Sequence, residues 1–120
     1  MPHATTYFDF LALCEENNAR ILQHSSHISP KLLALFVVIA LKHDQNQSLT
    51  VSDAMALQDL ASSAALHKRI DDLREAGMID LVFKGENRRT KYLIPTEKGN
   101  RYLKLMGQLL RTALRHNATV

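Results

Sequence analysis

Residues 62 to 99 read SSAALHKRIDDLREAGMIDLVFKGENRRTKYLIPTEKG. Leu66, Ile70 and Leu73 recur at the spacing of one helical face, and Ser62 or Ser63 stands where an N-cap belongs. A helix is therefore expected from about 62 to 76. Gly77 follows it at the position where helices commonly end in a left-handed residue. Residues 78–83 and 91–94 then read as two strands, joined across 84–90 as a hairpin. Thr96 can cap a further helix over about 97–115.

Working outward, Thr50 or Ser52 can cap a short helix over about 51–57, and Gln58-Asp59-Leu60-Ala61 makes a tight connection to the helix at 62. Ser29-Pro30 is an N-cap followed by proline at the first helical position. The helix it opens contains LLALFVVIAL, residues 32–41, which is too short to span a bilayer and apolar nearly all round. It should sit in the middle of the fold, and the polar run KHDQNQS at 42–48 closes it. A first helix from Tyr7 to about Gln23 carries Phe10 or Leu11, Cys14, Ile21 and Leu22 at helical spacings. The order helix, tight turn, helix, hairpin is that of a winged helix-turn-helix. The expected fold class is mainly α with a small β-hairpin, in one domain over 1–120.

The totals agree with this. Of 120 residues, 46% are apolar and 22% charged, with four Gly and three Pro, which suits helices joined by short connections. One cysteine, Cys14, excludes an intrachain disulfide framework and fits a reducing compartment. The start MPHATTYFDF lacks the basic segment and apolar run of a signal peptide, so a cytoplasmic protein with no membrane partner is expected. Net charge is +3, unevenly spread: residues 1–60 hold three Lys or Arg against six acids, and residues 61–120 hold twelve against six. A basic half on a small domain points towards a polyanion.

Double-stranded DNA is the polyanion that this order of elements suits. With Leu66, Ile70 and Leu73 inward, Ala64, Ala65 and Lys68 point outward and His67 lies on the flank. The two alanines keep the exposed face thin enough for a major groove, and Lys68 supplies a phosphate or guanine contact. Ser62 and Ser63 can bond phosphate beside the free N–H groups of the helix start. Asp71, Asp72 and Glu75 lie further along, so the helix should enter the groove by its N-terminus. Lys84, Arg88, Arg89 and Lys91 form the wing, whose long cationic side chains reach a minor groove or flanking phosphates.

Residues 62–99 resemble the DNA-binding lobe of MarR-type transcriptional regulators. The likeness rests on the serine-started helix, the Leu73-x-x-x-Gly77-Met78-Ile79 run into the first strand, the arginine-rich tip and Thr96-Glu97-Lys98-Gly99. It extends more loosely to Ser29-Pro30-Lys31 at the start of the second helix. The family commonly carries Asp-x-Arg nine residues before that threonine; here the positions are Asn87 and Arg89, an amide in place of the acid. The resemblance implies that Arg89 sits at the minor groove, and it raises a small-molecule effector, although no residues define a pocket. Cys14 falls roughly where peroxide-sensing relatives carry a reactive cysteine. Its neighbours Glu15 and Glu16 would raise the thiol pKa, and burial is the commoner fate of a cysteine.

Both ends carry more apolar residues than one core needs: Tyr102, Leu103, Leu105, Met106, Leu109, Leu110, Ala113 and Leu114 in the last helix, and a surplus in the first. Pairing of these helices across a two-fold axis would give a homodimer suited to a pseudo-palindromic site. The alternative is a winged-helix protein-interaction module in a larger assembly, which would keep the apolar ends and have little use for three cations at the wing. His24 and His27 are three apart, but no Cys or acid stands nearby at ligand spacing, so neither a metal nor a cofactor is expected. There is no phosphate loop, nucleophile elbow or His-Glu-x-x-His, and no enzyme activity is expected.

Overall fold

The computed structural model describes residues 2–25, 28–57 and 59–117. In chain order the elements are α1 (Pro2–Glu16), α2 (Asn18–Ser25), α3 (Pro30–Asp44), α4 (Val51–Met55), α5 (Ser63–Glu75), β1 (Ile79–Lys84), β2 (Asn87–Pro95) and α6 (Glu97–Asn117).

The capping signals act as local chemistry predicts. Ser29 Oγ accepts from the Leu32 N–H at the start of α3. Thr50 and Asp53 form a reciprocal capping box on α4. Ser62 Oγ accepts from the Ala65 N–H and opens α5. At the other end of α5, Gly77 takes φ 76, and the N–H groups of Gly77 and Met78 turn back to the carbonyls of Arg74 and Leu73. That pattern closes the helix with a left-handed residue, and glycine adopts it without steric cost.

Three boundaries differ from expectation. The first helix starts at Pro2 and is divided at Asn17. Asn17 Nδ2 donates to the Leu13 carbonyl that its own backbone N–H also reaches, and its Oδ1 accepts from Arg20. A side chain that competes for backbone partners in this way interrupts a helix, and an adjacent Asn18 adds another poor helix former. The short helix α4 ends at Met55 rather than 57. The hairpin is tighter than residues 84–90 suggested: the turn is Gly85-Glu86, with Gly85 at φ 60, and β2 already begins at Asn87.

The core is built around α3. Leu35, Phe36 and Ile39 are fully buried, together with Leu66 and Leu73 of α5, Met78, and Leu93 of β2. α3 is not covered all round, however: Val37 and Leu41 are 45% and 52% exposed along one edge. The Leu93 N–H donates to the Leu49 carbonyl (2.7 Å), tying the segment after α3 to the sheet. α6 buries Tyr102, Leu105, Leu109 and Ala113 as one stripe, and the Tyr102 ring meets Phe36 edge-on at 6.1 Å.

α1 runs antiparallel along α6. Asn117 Nδ2 donates to Asp9 Oδ2, while Cys14 lies near Tyr102 at the opposite end of the contact. The molecule measures 53 × 29 × 26 Å along its principal axes.

The base of the wing is fastened to α6 by one compact joint. The Thr96 N–H donates to the Met78 carbonyl (3.0 Å), and Thr96 Oγ1 donates to the Gly77 carbonyl while accepting from the Gly99 N–H. Lys98 Nζ donates to the Ala76 carbonyl (2.9 Å). Threonine at this point therefore caps α6 and clamps the end of α5 at the same time.

Candidate nucleic-acid interface

The inward face of α5 is as expected, with Leu66, Ile70 and Leu73 at 0%, 3% and 0% exposure. Ser62, Ser63, Ala64, His67 and Lys68 are exposed, and Ala65 is half-buried against the start of α3. Two of the residues expected to meet DNA already have work within the fold. Ser62 is the N-cap, and Ser63 Oγ donates to the Met55 carbonyl, which holds the turn between α4 and α5.

Two of the three acids on α5 have a partner one turn back. His67 Nδ1 lies 3.3 Å from Asp71 Oδ2, and Lys68 Nζ lies 3.5 Å from Asp72 Oδ2, both one helical turn apart. Such exposed pairs are worth about 0.3–0.5 kcal/mol and are readily exchanged for a phosphate. Lys31 and Arg69 were missed in the sequence reading. They join Lys68, Ala65 and Ser29 around a groove of about 230 Å³ between the start of α3 and α5. The available signals were weak: Arg69 falls four residues after Ala65, and Lys31 stands in the first turn of α3.

In the wing, β1 pairs with β2 in the order Ile79↔Pro95, Leu81↔Leu93, Phe83↔Lys91 and then Lys84↔Asn87. β2 thus holds three residues, Arg88, Arg89 and Thr90, that β1 does not match. A bulge of this kind twists the strand and re-aims side chains. The expected basic tip is therefore a bulge beside the tip. Asn87 Oδ1 accepts from the backbone N–H of Arg89 (2.9 Å), so this amide orders the backbone of the bulge.

Strand alternation splits the wing cations between two faces. Phe83 and Lys91 face one way, and Arg88 joins them over the Phe83 ring. Together with Thr50, Ser52 and Leu81, these residues border a groove of about 490 Å³ between α4 and the wing. Lys84 faces the other way. Its Nζ donates to Ser48 Oγ and lies 5.1 Å from the centroid of the Tyr92 ring, and Ser48 Oγ in turn meets His43 Nδ1 at 2.9 Å. Among the described residues no carboxylate pairs with Arg88, Arg89 or Lys91.

A third depression, an apolar cleft of about 300 Å³, lies between α3 and α6 and is lined by Val37, Leu41, His43, Pro95 and Leu103, among others. No pocket was legible in the sequence, because its walls come from segments some sixty residues apart.

Cys14 is half-buried, and burial pushes its thiol above the ordinary value; the same burial, followed by the nearby thiol, raises Tyr102. Desolvation is the cause here, not the flanking Glu15 and Glu16 that the sequence suggested. At neutral pH Cys14 should therefore be a protonated thiol. Iodoacetamide is expected to modify it more slowly than free cysteine at pH 7.5, with a rate that climbs through a midpoint higher than that of free cysteine. A faster rate than free cysteine would reverse this assignment.

His27 lies outside the described residues, as does the side chain of His24, and with them the pair weighed as metal ligands. Among the described residues no group of three His, Cys, Asp or Glu could hold a metal, and no helix is long and apolar enough to cross a membrane.

No protein-family model matches the chain, and no curated protein matches it. Solved structures do resemble it. RV1404 from Mycobacterium tuberculosis superposes with a TM-score of 0.59 at 17% identity, over 88% of this chain and 73% of that one. The YusO protein from Bacillus subtilis gives a TM-score of 0.50 at 19% identity, over 92% of this chain and 76% of that one. The fold is a winged helix-turn-helix, mostly helical with a two-stranded antiparallel wing.

Proposed function

We propose that the protein is a MarR-type transcriptional regulator that binds double-stranded DNA in a sequence-specific manner as a homodimer. α5 enters the major groove by its N-terminus, presenting Ala64, Ala65, His67 and Lys68. The wing lays Arg88, Arg89 and Lys91 on the minor groove or the flanking phosphates. The observation that carries this reading is the wing: three exposed cations without a carboxylate partner among the described residues, held beside a helix-turn-helix. Cations left unpaired by the fold are available to phosphate. Lys84 supports the wing from its other face through Ser48 and Tyr92.

The test is fluorescence anisotropy of a mixed-sequence duplex titrated at several salt concentrations. Binding is expected to weaken steeply with salt, with a log–log slope of about −0.9 per phosphate engaged. Absence of binding at low salt would transfer the reading to a protein-interaction module.

The dimer rests on the α1–α6 pair, which leaves Tyr7, Phe8, Leu11, Leu110 and Leu114 between 44% and 64% exposed. An apolar strip of this kind on a small chain marks a contact surface. Sedimentation at micromolar concentration is expected to give twice the chain mass, and a monomer would remove the dimer from the proposal. The cleft between α3 and α6 has the apolar lining that a small effector would need.

A further inference from the structure

We infer that Phe83 is a positioning residue: its ring gathers Arg88 and Lys91 and holds them ready for the phosphates of duplex DNA. The inference rests on the DNA reading above and adds a residue to it. Phe83 is 36% exposed and stands outside the buried core cluster, so core packing does not account for an aromatic side chain at this place. The Arg88 Cζ lies 5.6 Å and the Lys91 Nζ 5.2 Å from the centroid of its ring. Both are within the roughly 6 Å at which the negative face of a ring attracts a cation.

The bulge makes this double contact. Lys91 is the cross-strand partner of Phe83, and Arg88 is the first of the three residues that β2 inserts between Asn87, the partner of Lys84, and Lys91. The inserted stretch therefore begins at one cation and ends beside the other, and one ring serves both. Two like charges brought together would repel, and among the described residues no carboxylate offsets them. The ring quadrupole supplies the attraction instead, and, unlike a carboxylate, it leaves the charges unneutralised for phosphate. Arg and Lys side chains lose much rotamer freedom when a ligand fixes them, and a ring that restricts them beforehand reduces that loss.

Positioning and contact have different signatures. Removing a phosphate contact lowers the salt slope by about one. Removing a residue that only positions the contacts weakens binding by a similar factor at every salt concentration and leaves the slope alone. Phe83→Leu keeps apolar bulk and removes the ring, so it is expected to bind duplex about three- to tenfold more weakly, with unchanged slope and a Tm lowered by no more than a few degrees. Phe83→Trp restores a π face and is expected to bind within about twofold of the wild type. Equal or tighter binding by Phe83→Leu, in a wild type that does bind duplex, would overturn the inference and leave the DNA reading standing.

A second measurement needs no DNA. The side-chain protons of Arg88 and Lys91 should show ring-current shifts in the wild-type NMR spectrum that disappear in Phe83→Leu. Their absence from the wild type would overturn the inference whatever the duplex titration gives. A wild type that ignores duplex at low salt would instead remove the DNA reading, and the proton shifts would then decide whether the ring holds the cations.

Discussion

Gly99→Ala is expected to destabilise the protein by about 3 kcal/mol, although the same substitution inside a helix ordinarily stabilises. A Cβ at Gly99 would lie 2.5 Å from the Met78 carbonyl oxygen and 3.0 Å from two atoms of the Phe36 ring. Neither neighbour is free to withdraw. The Met78 carbonyl accepts from the Thr96 N–H within the joint that fastens the wing to α6. Phe36 is fully buried and packed edge-on against Tyr102. Relief must therefore come from a shift of α6 against the end of α5, which disturbs the Thr96 clamp as well. For a domain of this size the loss corresponds to a Tm lower by roughly 10–20 °C.

Gly107 provides the control on the same helix, since nothing lies within 4 Å of a Cβ built there. Gly107→Ala should be neutral or stabilise by up to about 1 kcal/mol. Denaturant unfolding of the two variants checks the pair of predictions. If both raise stability alike, the close approach at Gly99 is not what orders this joint.

The second large effect concerns binding. The double variant Arg88→Glu/Arg89→Glu is expected to lose duplex affinity by two to three orders of magnitude near physiological salt and to lower the salt slope by about two. Two phosphate contacts are lost and two repulsive charges put in their place. Neither arginine has a carboxylate partner among the described residues and both are exposed, and only Arg88 gives up a contact, over the Phe83 ring, so the folded state should lose about 1 kcal/mol or less. Anisotropy at several salt concentrations beside a thermal melt separates the two quantities. A variant that melts normally and binds as tightly as the wild type would remove the wing from the interface.

Sequence reading went furthest where the physics is local. An N-cap, a capping box, a left-handed glycine and an apolar stripe each involve residues within four or five positions of one another. That is why Ser29-Pro30, Gly77 and Thr96 could be assigned their places from the chain alone, why the caps of α4 and α5 could be narrowed to Thr50 or Ser52 and to Ser62 or Ser63, and why Leu66, Ile70 and Leu73 were legible as the buried face of α5. It went less far at Asn17, where a side chain interrupts a pattern whose apolar spacing continues unbroken.

The candidate site shows the same division. The kinds of residue in the wing and on α5 were evident from composition and order: two alanines and a lysine on one helix, and arginines after a glycine. Their arrangement was not. The bulge at Arg88–Thr90, the ring of Phe83 beneath two cations, the tie from Lys84 to Ser48 and the close approach at Gly99 all depend on partners that only pairing and packing bring together. Strand register is set by which faces must be buried, and side-chain aim follows register, so neither can be read from an isolated run of charged residues. By itself the sequence determined the winged helix-turn-helix order and the identity of its basic elements. Only the tertiary structure decided which cations are paired, which lie over the Phe83 ring, and where α6 comes too close to the Met78 carbonyl for any side chain but hydrogen.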